Sequence, residues 1–204
     1  MPYAWRYRDY VIDSLNRDKP YDQFIREQLA GDELVDITGA GELPNPPAEN
    51  LVALTFLRLA PFTEPRGDES RHEMLSEMTT TVSSVFLGLT VGCAKCHDHP
   101  LEKWTNDQYY AMANLFARGR AKGWGGDPRS GQGMRTLYVA PEGELVQPRT
   151  GKPQPPAPLD GETLPFDDPR DRRLALADWV TDPENPYFSR AIANRVCLLY
   201  TSDA

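Results

Sequence analysis

Apolar residues recur at helical spacing along most of the first half of the chain. Trp5, Arg8, Val11, Ile12 and Leu15 predict a first helix that Asp18-Lys19-Pro20 stops. Phe24, Ile25 and Leu29 mark the face of a second helix, with Gly31 expected as its closing C′ glycine. Residues 39–47 read as a Gly/Pro linker, and a short helical run over 49–59 comes after it, broken at Pro61. The best-marked helix is next. Ser70 and Glu73 stand in capping-box spacing, and Met74, Leu75, Met78, Val82, Val85, Phe86 and Leu89 form a stripe that leads to Gly92. Thr105 with Gln108 repeats the capping-box signature, and Tyr109, Met112, Ala113 and Phe116 define a face that closes at Gly119.

Beyond residue 120 the texture changes to Gly and Pro. Thr136-Leu137-Tyr138-Val139 and Glu144-Leu145-Val146-Gln147 flank Pro141-Glu142-Gly143, which predicts a β-hairpin. Asp168-Pro169 then has the look of an N-cap followed by proline at the first helical position, opening a helix through Leu174, Ala177 and Val180. Asn185-Pro186 breaks it, and Ser189 is expected to cap a last helix. The pattern as a whole predicts a mainly α fold: an irregular helical domain with a CxxCH loop, a small β-hairpin and long Gly/Pro-rich loops. Its expected divisions are a helical domain over 1–120, a linker with the hairpin over 121–167, the start of a second helical domain over 168–196, and a tail over 197–204.

One motif names a chemistry. In Cys93-Ala94-Lys95-Cys96-His97 two thiols three positions apart can add to the vinyl groups of a haem, and the histidine after them reaches the iron from one face. The motif continues as Asp98-His99-Pro100, so a zinc reading would use Cys93, Cys96 and one or both of His97 and His99. Zinc sites are usually closed by a second ligand pair, and the chain offers only Cys197 and His72 beyond the motif. A third reading is a pair of reduced cysteines that braces a loop. The formal charge of −8 argues against a nucleic-acid footprint, and no apolar run of about 18 residues is present to span a bilayer. No G-x-S-x-G nucleophile motif and no phosphate-binding glycine loop is found, which leaves a hydrolase only weakly supported by its acidic residues. The N-terminus lacks the apolar region of a signal peptide, whereas covalent haem attachment in bacteria takes place outside the cytoplasm.

Several separated strings carry a family resemblance. Trp5-Arg6-Tyr7-Arg8-Asp9-Tyr10-Val11, Asp18-Lys19-Pro20-Tyr21-Asp22-Gln23-Phe24, Arg26-Glu27-Gln28-Leu29-Ala30-Gly31-Asp32 and the run from Val85 to Pro100 resemble large exported planctomycete proteins with cytochrome-c-related domains. Two adjoining domains of unknown function make up this part of those proteins, the first called a planctomycete cytochrome C domain. The resemblance runs from about residue 4 to Val196. It implies an internal fragment of an exported or periplasmic protein, whose signal peptide would lie upstream, and a carbohydrate-processing context. Residues 197–204 depart from the family pattern and resemble translated adaptor sequence, so Cys197 is expected to be non-native.

The leading expectation is therefore a haem c module that passes single electrons to a redox partner the sequence does not name. Cys93 and Cys96 would be the thioether attachments and His97 the proximal iron ligand. Met134, Met112 and His72 are the candidate distal ligands, and any enzymatic activity would be of the oxidoreductase type. His99 is expected to give a second-shell hydrogen bond, with Asp98 orienting it. The alternative is a non-haem metal-binding or structural domain of a carbohydrate-binding or scaffold protein, with Trp104 or Trp124 as sugar-stacking candidates.

Overall fold

Helices carry most of the chain, as the apolar spacing predicts. The computed structural model describes residues 4–34, 48–59, 68–124 and 134–201, and at 68, 121–124, 134–138 and 199–201 the backbone alone. Helix α1 spans Ala4–Asn16 and α2 spans Tyr21–Ala30; α3, Glu49–Ala53, runs on as a 3-10 turn, Leu54–Arg58. Helix α4, Asp68–Val82, continues as one wide π turn, Ser83–Leu87. Then come α5, Asn106–Ala113, α6, Arg172–Thr181, and α7, Phe188–Thr201. Strand β1, Gly119–Trp124, pairs antiparallel with β2, Met134–Val139, and β3, Val146–Gln147, with β4, Lys152–Pro153. The linker at 39–47, the break at Pro61 and the glycine pair at 125–126 lie outside the described residues.

The stripe on α4 points into the core. Met74, Leu75, Met78 and Val82 are buried there, and Phe86 stacks on Phe56 with ring centroids 4.6 Å apart. One continuous hydrophobic cluster joins them to Ile25 and Leu29 of α2, Tyr109, Tyr110 and Met112 of α5, and Leu176, Ala177 and Val180 of α6. Packing between α2 and α6 is locked by charge. Arg173, buried in α6, bridges Asp32 just past α2 at 2.7 Å and its neighbour Asp171. Burial by itself lowers the Arg173 pKa, and the two carboxylates outweigh it and raise the value above that of a free guanidinium.

Local sequence signals match the element ends at some positions and not at others. Thr105 and Gln108 do form a reciprocal capping box at the start of α5. The small antiparallel hairpin is present, but 136–139 pairs with 119–122 and not with 144–147. The backbone of Leu145 is taken by the side chain of Asn114, which accepts from its N–H at 2.6 Å and donates to its carbonyl at 3.2 Å. On α1 the buried positions are Tyr10 and Ser14, while Trp5, Ile12 and Leu15 face outward. Gly31 is right-handed (φ −61°), so it is no left-handed cap; a Cβ there would stand 2.1 Å from the Asn50 carbonyl oxygen, and the glycine lets α3 approach α2. Ser70 and Glu73 lie inside α4, which begins at Asp68. Asp171, not Asp168, caps α6 by accepting from Arg173 N, and Asn185 rather than Ser189 accepts from the amides of Tyr187 and Phe188 where α7 begins.

Candidate cofactor site at the CxxCH loop

The loop begins where α4 ends. Gly88, in the left-handed region at φ 68°, terminates the π turn, and the chain re-enters as a 3-10 turn over Val91–Lys95. In a 3-10 turn residues i and i+3 lie one above the other. Val91 and Ala94 therefore share the inward side, where both are buried, and Cys93 and Cys96 share the outward side, where both are exposed free thiols. A side chain at Gly92 would press on Thr80 of α4 at 3.3 Å, so the turn sits close on that helix.

The start of α5 pins the chain beyond Cys96. The main-chain N–H of Asn106 donates to the Asp98 carboxylate at 2.8 Å, and its buried side-chain amide donates to the carbonyls of Ala94 at 2.7 Å and Lys95 at 2.9 Å. Tyr110 adds a hydroxyl 3.3 Å from the Lys95 carbonyl and 3.2 Å from His72 Nε2. On the other side of the turn Lys95 pairs with Glu73 of α4 at 2.8 Å, which holds the Glu73 carboxyl below its ordinary range. His72 is pushed down in pKa by burial and then by Lys95, against the opposing pull of Glu73. Burial raises the Tyr110 pKa, with Cys96 adding to the effect.

The two histidines of the motif are held in opposite tautomers. His97 Nδ1 lies 2.6 Å from the Asp98 carbonyl oxygen, which can only accept, so Nδ1 carries the proton. The Nε2 lone pair of neutral His97 is then free to bind a metal. At His99 the opposite holds, because Nδ1 accepts the amides of Leu101 at 3.2 Å and Glu102 at 2.9 Å. Its proton sits on Nε2, and binding a metal there would require moving that proton to Nδ1 and breaking both turn bonds. Asp98 spends its carboxylate on Asn106, so it orients α5 and the loop rather than His99.

The remaining residues singled out in the sequence lie elsewhere. Met112 is fully buried, with its sulfur 3.5 Å from Ser83 Oγ in the core. Met134 opens β2, and its side chain lies outside the described residues, as does that of Trp124. Trp104 is buried with its indole N–H donated to Glu102 at 2.7 Å, which leaves it no open face for a sugar. Among the described residues, the only group bringing three His, Cys, Asp or Glu ligand atoms within 4.8 Å of one another is Asp32, Glu33 and Asp171, and Cys93, Cys96, His97 and His99 are not part of it. A cleft between Leu87, Gly88 and α7 and another along α1 are lined by residues other than the two cysteines and His97. Asn106, Tyr110 and Gln147 were missed in the sequence. Asn106 had one faint signal, its place directly after the capping threonine.

A family model named PSCyt2, described as a protein of unknown function (DUF1549), matches residues 1–121. The chain belongs to the PSCyt2 family. This agrees with the resemblance carried by the strings around Trp5, Lys19, Gly31 and Gly92, and it places the CxxCH loop inside the matched part of this PSCyt2 chain. Neither a curated protein nor a solved structure matches it. No described helix of the PSCyt2 chain is long and apolar enough to cross a membrane.

Proposed function

We propose that this chain is a c-type haem-binding module of an exported protein, and that it serves single-electron transfer to a partner protein. The observation that carries the reading is the division of labour in the loop. Two free thiols stand on one exposed side of a short turn, and the imidazole after them has Nδ1 tied down and Nε2 left for a ligand. Cys93 and Cys96 would hold the haem through thioethers, and His97 would bind its iron through Nε2. A bound haem would supply a one-electron couple whose potential depends on axial ligand, burial and nearby hydrogen bonds. The chain's own contribution is to keep the His97 ring fixed through Asp98 and to hold the turn on α4 and α5. His72, half-buried and linked through Tyr110 to the Lys95 carbonyl, is the distal candidate whose described hydrogen bonds reach the loop.

A purely structural loop accounts for His99 and Asp98, which both stitch backbone. It does not account for Cys93 and Cys96, which are exposed and contribute little to the core. The opposite tautomers supply the test. After export with c-type maturation machinery, His97→Ala is expected to change the axial-ligand spectrum of the haem, while His99→Ala keeps that spectrum and loses stability. Equal spectral effects of the two variants would overturn the reading.

A further inference from the structure

The Gly/Pro-rich segment after residue 140 reads as spacer, yet part of it reaches the loop through a chain of buried amides. Gln154 Nε2 donates to Gln147 Oε1 at 2.6 Å, and Thr150 Oγ1 donates to the same oxygen at 2.9 Å. With its acceptor thus engaged, Gln147 turns its amide nitrogen toward α5, where it donates to Asn106 Oδ1 and, at 2.8 Å, to Asp107 Oδ1. That fixes which end of the Asn106 side chain faces the loop. The oxygen looks at β3, so the two N–H groups must look at the carbonyls of Ala94 and Lys95. Gln147 is fully buried and Asn106 is 1% exposed, so water does not substitute for a missing partner at low cost.

We propose that Asn106, oriented by Gln147 of the β3–β4 ribbon, is the positioning residue of the Cys93–His97 site. One side chain bonds both residues between the cysteines, and the main-chain N–H of the same residue bonds the residue after His97. The stretch containing Cys96 and His97 is bracketed at 94, 95 and 98, although both side chains are exposed. The rigidity of an exposed ligand loop is thereby supplied from below, and the ribbon that looks like linker is part of the site. The role assigned to this loop rests on the haem reading above; the bracket itself does not.

The experiment compares Asn106→Ala and Gln147→Leu with Leu176→Ala, a core truncation in α6 that serves as the control for lost stability. In the haem-free chain, hydrogen exchange of the His99 amide, which donates to the Trp104 carbonyl at 2.8 Å, and the ratio of alkylation rates at Cys96 and Cys93 are measured. In the matured chain the reduction potential is measured. Removing two buried amide–carbonyl bonds is expected to speed local exchange by roughly tenfold in Asn106→Ala, with α6 unaffected. The alkylation ratio and the potential are expected to shift with it, and Gln147→Leu to move the same readouts in the same direction. Leu176→Ala should lower the melting temperature at least as much without these local effects. The proposal is overturned if Asn106→Ala leaves exchange and alkylation unchanged, or if Leu176→Ala reproduces its local pattern. A wild-type chain that takes up no haem refutes the haem reading alone, and the positioning role is then decided by the two haem-free readouts.

Discussion

Replacing Arg173 with methionine tests the charge lock between α2 and α6. The guanidinium donates through Nε to both Asp171 oxygens, at 3.2 and 3.0 Å, and through Nη2 to Asp32 Oδ2 at 2.7 Å, with side chains that are 2%, 5% and 8% exposed. Methionine fills much of the volume but leaves two carboxylates buried together without a cation. Breaking a buried pair in this way costs about 3–5 kcal/mol, more than the net worth of the pair itself. For a chain of this size each kcal/mol lowers the melting temperature by about 2–4 °C, so a drop of about 6–20 °C is expected in a far-UV circular dichroism melt at pH 7. A melt within about 2 °C of wild type at pH 7 would show that this charge lock contributes little to the packing of α2 on α6.

The loop and its neighbour His72 give two further expected outcomes. His99→Ala leaves the amides of Leu101 and Glu102 without their acceptor and is expected to cost about 1 kcal/mol in urea denaturation, because the turn is partly solvated; in wild type, nitrogen NMR should show His99 Nδ1 as the unprotonated ring nitrogen, and a protonated Nδ1 would contradict the tautomer. Burial and Lys95 hold the His72 pKa below its ordinary 6.5, so the unfolded chain takes up this proton first as the pH falls. Stability is therefore undiminished by His72 above about pH 6.5 and declines below it until the folded form also protonates; His72→Phe should flatten that part of the urea-midpoint profile, and an unchanged slope would count against it.

Legibility in the sequence tracked how local each signal was. The α4 stripe and the Thr105–Gln108 cap need only neighbouring residues, and both appear as read. Strand β1 includes Gly119, Arg120, Lys122 and Gly123, with no apolar alternation, and it forms because β2 lies opposite; a window along the chain cannot see that partner. Gly31 was recognised as special for the wrong reason, since its neighbour Asn50 is brought in by tertiary packing. The run Asp171-Arg172-Arg173 has the composition of a solvated turn, yet both arginines are buried on partners far along the chain, Glu144 and Asp32. At the candidate site the cysteines and His97 were visible as a motif. The contrast between His97 and His99 depends on which backbone atoms meet each ring, and Asn106 and Gln147 gain their roles from contacts across some 40 residues that spacing does not encode.

The most direct measurement is covalent haem content, read by a pyridine haemochrome spectrum and haem staining of the denatured chain after export with c-type maturation machinery. It is made on wild type and on the Cys93→Ala, Cys96→Ala double variant. Both thiols are exposed and unbridged, so the double variant is expected to melt within about 1–2 °C of the haem-free wild type, which separates loss of haem from loss of fold. A c-type spectrum that stays with the denatured wild-type chain and vanishes in the variant is expected. A folded, colourless wild-type chain, or haem that binds equally to both, would rule out covalent haem at Cys93 and Cys96.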